Sequence, residues 1–204
     1  MTRTAFLLFF TACTAALVQA QPLPSAESIL DHFVEVTGGK AAYQKHTSEV
    51  LVGKVTFAVM GLSGQLTRYS AAPNKEYSVV ELGPLGKIET GISGEVAWEK
   101  SAILGPRIKS GDEREQALRH ARFNSPLTWR TVYAKAETTG TDNVNGEECY
   151  KVLLTPASGK PETQFYSKKT GFLLKTTATA SSPMGEMAVE VEVSGYKEFG
   201  GVLY

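Results

Sequence analysis

Residues 147–195, EECYKVLLTPASGKPETQFYSKKTGFLLKTTATASSPMGEMAVEVEVSG, decide the fold. They read as four consecutive antiparallel strands joined by turns. Tyr150, Val152 and Leu154 share one face of the first. Thr163, Phe165 and Ser167 alternate with Gln164 and Tyr166 in the second, and Phe172 and Leu174 open the third. In the fourth, Met187, Val189, Val191 and Val193 alternate with Glu186, Glu190 and Glu192, the clearest period of two in the chain. An oily face opposite a wet one predicts a sheet whose inner side covers something.

Upstream, Asn145-Gly146 is a hairpin signal, and Lys168-Lys169-Thr170-Gly171 and Ser182-Pro183 with Gly185 make the later turns. Five more strands are expected between Ser48 and Trp98, at the spacing of a meander. In the first, Leu51, Val55, Phe57 and Val59 share a face. Leu66 follows after Gly61 and Gly64, and Val96 and Trp98 lie opposite Glu95, Ala97 and Glu99.

Helices flank this meander. Ser25 reads as an N-cap with Glu27 in the first turn. Ile29, Leu30, Phe33 and Val34 form the apolar stripe, and Gly38-Gly39 stops the helix. Lys40 to His46 can add a short turn. Asp112 to Phe123 is a second helix, with Ser110 and Glu113 at capping-box spacing and Arg119, His120 and Arg122 at its C-terminal end. Its apolar face is thin (Ala117, Leu118, Ala121), which suits a crossover helix or a lid. Leu127 to Tyr133 fits helix or strand.

The chain has 204 residues, of which 42% are hydrophobic, and its formal net charge is zero. That is enough for one domain with a core, and the balance of charge argues against a nucleic-acid partner. Residues 1–20 read as a signal peptide: Arg3, the apolar run Ala5 to Val18, then small residues before cleavage after Ala20. The run is too short for a membrane helix, so no transmembrane span is expected in the mature chain. A lipobox ending at Cys13 is the alternative, which would leave a lipid anchor. Residues 21–204 would then be a single exported domain, periplasmic or extracellular.

The motifs Ala26-Glu27-Ser28-Ile29-Leu30-Asp31 with Thr37-Gly38-Gly39-Lys40-Ala41-Ala42, Glu148-Cys149-Tyr150-Lys151-Val152, Phe165-Tyr166-Ser167, Lys169-Thr170-Gly171-Phe172-Leu173 and Gly195-Tyr196-Lys197-Glu198 resemble the periplasmic lipoprotein carriers, the LolA-like superfamily of outer membrane lipoprotein sorting. The resemblance covers most of the mature chain. It implies an α+β, mainly antiparallel β fold: a curved, unclosed, barrel-like sheet with helices packed on its concave side and an apolar cavity between. It also implies a further strand beyond Gly200-Gly201, so the chain is expected to be truncated after Tyr204. The carriers hold lipoprotein acyl chains and use a gate arginine, for which Arg68 is the candidate counterpart.

No catalytic constellation, metal site or cofactor motif is found. His32, His46 and His120 lack a paired metal spacing. Gly61-Leu62-Ser63-Gly64 and Gly91-Ile92-Ser93-Gly94 are better read as turns than as nucleophile elbows. Cys149 reads as a small hydrophobe on a strand, and Glu190 and Glu192 as a solvated face. A hydrolase would require a cleft joining a serine or carboxylate to a histidine. The candidates for an apolar cavity are Phe57, Val59, Leu66, Trp98, Val152, Leu154, Leu174, Val189 and Val191. The expected activity is non-enzymatic binding of a lipid or lipoprotein acyl chain. The alternative is a ligand-free structural or interaction module with a protein partner in the cell envelope.

Overall fold

The structure, a computed structural model, describes residues 22–57, 61–102 and 104–204, the side chain of Phe57 excepted. The expected signal peptide, Cys13 and Val59 lie outside the described residues.

Two antiparallel meanders flank a pair of helices. Helix α1 (Ala26–Val36) starts as its sequence predicts: the Ser28 backbone N–H donates to Ser25 Oγ at 3.2 Å. After α2 (Gly39–Tyr43), strands β1 (Ser48–Phe57), β2 (Leu62–Ala71), β3 (Lys75–Glu81), β4 (Lys87–Ser93), β5 (Val96–Ser101) and β6 (Gly105–Ile108) form one sheet in sequence order. Helices α3 (Gly111–His120) and α4 (Ser125–Val132) follow. Strands β7 (Tyr133–Val144), β8 (Glu147–Pro156), β9 (Glu162–Ser167), β10 (Leu173–Ser182) and β11 (Gly185–Glu192) form the second sheet, also in sequence order. A hairpin of β12 (Glu198–Phe199) and β13 (Val202–Leu203) ends the chain. Neither sheet closes on itself, so the unclosed, mainly antiparallel α+β architecture is as expected.

Two local differences and one open choice have simple causes. The first meander gains β6, a short edge strand that tolerates Pro106 because an edge need not use every N–H. The segment 127–133 is mostly helix, and Pro126 sits in the first turn of α4, where its missing N–H costs nothing. The capping box does not form. Ser110 is the N-cap of α3, but its hydroxyl makes no cap bond. Glu113 instead accepts from Arg107 at 2.7 and 2.5 Å and lies 3.2 Å from Lys109 Nζ. Arg107 also holds Glu99 at 3.0 Å. A charge-assisted fork outcompetes a neutral cap, and the Arg107 guanidinium holds the Glu113 carboxyl below the usual range. These four side chains, each only 13–18% exposed, fasten α3 to β5 and β6.

The register of the first sheet overturns one inward assignment. Directly paired residues share a face, and α3 packs Ala117, Leu118 and Ala121 on Ile92 and Ala97. Trp98, expected inside, therefore faces away from the helix. Its ring lies over Gly91, where a Cβ would meet it at 2.3 Å, and 6.2 Å from Tyr77. The alternation was read correctly but the faces were swapped. A helix approaching this closely needs the small Ala97 beneath it, and the charged Glu99 on that face is neutralised by Arg107 and Lys109. One cross-strand row, Val50–Tyr69–Tyr77–Gly91–Trp98–Ile108, thus crosses the outer face of the sheet. Val50 and Ile108, at its ends, are largely exposed.

The second sheet is covered on both sides. On one, Ala26, Ile29 and Leu30 of α1 and Trp129 of α4 bury Val152, Leu154 and Tyr166. On the other, Val144, Cys149 and Phe165 cluster with Leu174, and Lys151 and Lys175 cover the Phe165 ring. The expectation of a wholly wet second face is corrected accordingly: Phe165 and Tyr166 are neighbours, point to opposite faces, and are both buried. Leu174 was expected inside and belongs to this outer cluster. A bulge between Leu173 and Lys175 shifts the β10–β9 register, so Leu173 takes the inner place. Cys149 is fully buried, and burial pushes its thiol up, as suits a small hydrophobe.

Candidate functional site

A cavity of about 660 Å³ lies between the inner face of the second sheet, α3 and β2. Its size falls in the roughly 300–1,000 Å³ of small-molecule sites. Its floor exists because β10 and β11 carry small or short residues there: Thr176, Ala178 and Ala180 beside Val189 and Val191, with Val193 just past the end of β11. Gln116 ties the helix to this floor: its side-chain amide donates to the Thr179 carbonyl at 3.2 Å and its carbonyl accepts from the Ser181 N–H at 3.4 Å. Val191 is 51% exposed, so the cavity opens along β11.

A side chamber of about 190 Å³ adjoins it, lined by Leu30, Phe33, Trp129, Leu154 and Tyr166. Ser125, Tyr133, Gln164 and Leu173 line both spaces, so the chamber lies directly against the cavity.

Where the two spaces adjoin, the wall turns polar. Glu162, 7% exposed, accepts from the Tyr133 hydroxyl and the Gln164 amide, each at 2.8 Å. Tyr166 in turn donates to Gln164 Oε1. His120 Nε2 approaches the other Glu162 oxygen at 3.6 Å, an ion-pair distance rather than a hydrogen bond. Burial alone would push the Glu162 carboxyl up. The His120 imidazole and the two donors outweigh it and hold the carboxyl below its ordinary value of 4.5. Burial and the Glu162 charge keep the Tyr133 phenol protonated.

A carboxyl with a depressed folded-state pKa adds stability above its unfolded pKa and loses it as pH falls through the folded value. The wild-type chain is therefore expected to destabilise as pH drops below about 4.5, and Glu162→Gln to show a shallower acid limb in urea titrations. Parallel acid limbs in the two proteins would rule this out.

Glu162 and His120, 3.6 Å apart, line one cavity together with Ser125, which meets the condition for a hydrolase, a cleft joining a carboxylate to a histidine. Among the described residues, however, no hydrogen bond joins Ser125 Oγ to His120, whose ring nitrogen faces Glu162. Among the same residues, no group of three or more His, Cys, Asp or Glu side chains is placed to hold a metal. No described helix is long and apolar enough to cross a membrane.

The candidates from sequence scatter. Val189 and Val191 line the main cavity, and Leu154 the side chamber. Val152 is fully buried under α1. Leu66 is half-buried and, through its pairing with Val80, shares Arg68's face of β2 without lining the cavity. Arg68 itself lines the cavity and holds Glu49 at 3.3 Å. Trp98 and Leu174 face away, and Phe57 and Val59 fall outside the described side chains. Reasoning from hydrophobic alternation missed Ala178 and Ala180, which make room by being small, and the polar group at Glu162.

No protein-family model matches the sequence, nor does any curated protein. Solved structures do match. A LolA superfamily protein from Nitrosomonas europaea is 11% identical, over 87% of this chain and 80% of that one, with a TM-score of 0.52. A DUF1329 family protein from Desulfovibrio piger is 16% identical, over 87% and 82%, with a TM-score of 0.49. At 11% identity the first likeness speaks for architecture alone. Together with the two unclosed meanders and the helices packed between them, it gives this chain a fold like that of the Nitrosomonas protein.

Proposed function

We propose that the chain is an exported binding protein that shelters an apolar ligand, a lipid or lipoprotein acyl chain, in the cavity between the second sheet and α3. The observation that carries this reading is the space of about 660 Å³ floored by alanines and valines and bordered by an apolar side chamber. Each methylene taken into such a space gains about 0.8 kcal/mol, so a long chain binds with little polar recognition. Residues 1–20 would direct export and 21–204 would form the binding domain.

Mature protein purified from a bacterial periplasm is expected to carry lipid detectable by mass spectrometry, and delipidated protein to take up a fluorescent acyl probe. Ala178→Trp puts an indole into the cavity without disturbing the opposite face of β10. It is expected to weaken probe binding by at least about tenfold, a loss of roughly 1.4 kcal/mol, with a melting temperature near wild type. Protein that carries no lipid and takes up no probe would sink the proposal. The second reading, an interaction module of the cell envelope, draws on the Tyr69–Tyr77–Trp98 row on the outer face of the first sheet.

A further inference from the structure

We propose that the open edge of β1 pairs with β1 of a second copy of this chain, antiparallel about a two-fold axis at Leu51, and joins the first sheets of the two copies.

Among the described residues the two large sheets leave four edges, β1, β6, β7 and β11. Three are blunted. β6 is four residues long and contains Pro106. β7 is broken by two register shifts against β8, and it is tied to the segment before α1, where Thr138 Oγ1 donates to the Pro24 carbonyl at 2.7 Å. β11 carries Glu186, Glu190 and Glu192 and no base, so two copies of it repel. β1 has only Lys54 as a guard. It runs ten residues in unbroken register with β2 and carries Val50, Leu51 and Val52 in succession, 61, 40 and 73% exposed. A long, regular, apolar edge of this kind is a template for another strand.

The main chain fixes which groups the edge offers. The Ala72 N–H donates to the Thr47 carbonyl at 2.9 Å, and these two residues continue the β1–β2 register. Bonded and non-bonded pairs alternate along an antiparallel ladder. Odd-numbered residues of β1 therefore bond to β2, while Val50, Val52 and Lys54 turn their N–H and C=O groups to the open side. An isologous pair has to match these even positions with one another. With the axis at Leu51, Val50 faces the partner's Val52 and Leu51 faces the partner's Leu51. Glu49 faces the partner's Gly53, and Lys54 the partner's Ser48, so no like charges meet. An axis at Val52 or Gly53 would set Lys54 against a valine, and one at Val50 would set Glu49 against a leucine. The exposed apolar run covers itself about Leu51 alone. The outer-face row that ends at Val50 then continues onto the partner's β1.

Sedimentation equilibrium of the mature chain is expected to show a reversible dimer. Val50→Lys is expected to weaken it at least about tenfold. Combining Val50→Lys with Val52→Glu is expected to recover it, because opposite charges then face each other across the axis. A non-bonded pair on the axis has its Cα atoms about 4.5 Å apart, within reach of a disulfide. Leu51→Cys is therefore expected to form a linked dimer with oxidised glutathione, and Gly53→Cys is not. Wild type stays unlinked, since Cys149 is fully buried. A monomer at every concentration, or a dimer that Val50→Lys leaves intact, overturns the inference. Linking through Gly53→Cys instead of Leu51→Cys, or no recovery in the double variant, overturns the axis at Leu51. Assemblies that grow beyond two chains overturn the two-fold pairing in favour of β1 meeting a different edge. Uptake of the acyl probe tests the cavity separately from all of these.

Discussion

Replacing Gly38 with alanine is expected to cost about 3 kcal/mol of folding free energy and to lower the melting temperature by roughly 6–12 °C at this chain length. The residue lies at φ +128°, where an L side chain is strained, and a Cβ there would stand 2.2 Å from the Gly201 carbonyl oxygen. That oxygen is backbone and cannot swing aside. The β12–β13 hairpin would have to lift off α1 and α2. In doing so it would expose the fully buried Val202 and break the bond from the Leu203 N–H to the Thr37 carbonyl, 2.9 Å long. Gly39 supplies the control. Its φ is also positive, at +78°, but a Cβ there meets nothing within 4 Å. Gly39→Ala should therefore show only the backbone strain, about 1 kcal/mol. Hydrogen exchange at Leu203 should quicken in the first variant and not in the second. Equal losses in both would mean that the hairpin contact contributes nothing.

That contact also shows what the sequence could and could not reveal. Gly38-Gly39 was legible as a helix stop, because a chain end needs a residue free of Cβ strain. That Gly38 is also the seat of a hairpin more than 150 residues away was not, since nothing local records it. The same division runs through the sheets. Period-two alternation located β8 and β11 and put Val152, Leu154, Val189 and Val191 on the helix-covered face. It failed at Trp98 and Leu174 for two different reasons. At Trp98 the hydrophobic side chain lies on the outer face and the alanine beneath the helix, so hydrophobicity pointed the wrong way. At Leu174 the parity itself was broken by a bulge. The cavity is least legible of all, because a void is made by what is absent: Ala178 and Ala180 carry no signal except smallness. The polar end at Glu162, Tyr133 and His120 draws on β9, β7 and α3, and no spacing in the chain announces their meeting.

Truncating Leu154 to alanine should be the most damaging change in the second sheet, and it also asks where the bound chain lies. Leu154 is 1% exposed and packed among Ile29, Leu30, Trp129 and Tyr166, and it lines the side chamber. A buried leucine replaced by alanine costs about 2–5 kcal/mol, rising with the cavity left behind. A loss of about 3 kcal/mol is expected for the ligand-free protein. Ligand binding stabilises each protein in proportion to RT ln(1 + [L]/Kd), so the difference between variant and wild type can be followed as acyl ligand is added. If the chain enters the side chamber, the truncation gives it more room and tighter contact. The gap should then narrow by about 1 kcal/mol, a fivefold gain in affinity. If the chain stays over β10 and β11, the same ligand should leave the gap unchanged. Chemical denaturation of both proteins, with and without a saturating acyl ligand, separates the two cases. A gap that widens on adding ligand would mean that Leu154 itself is part of the binding surface and that its side chain, not the space beside it, holds the chain.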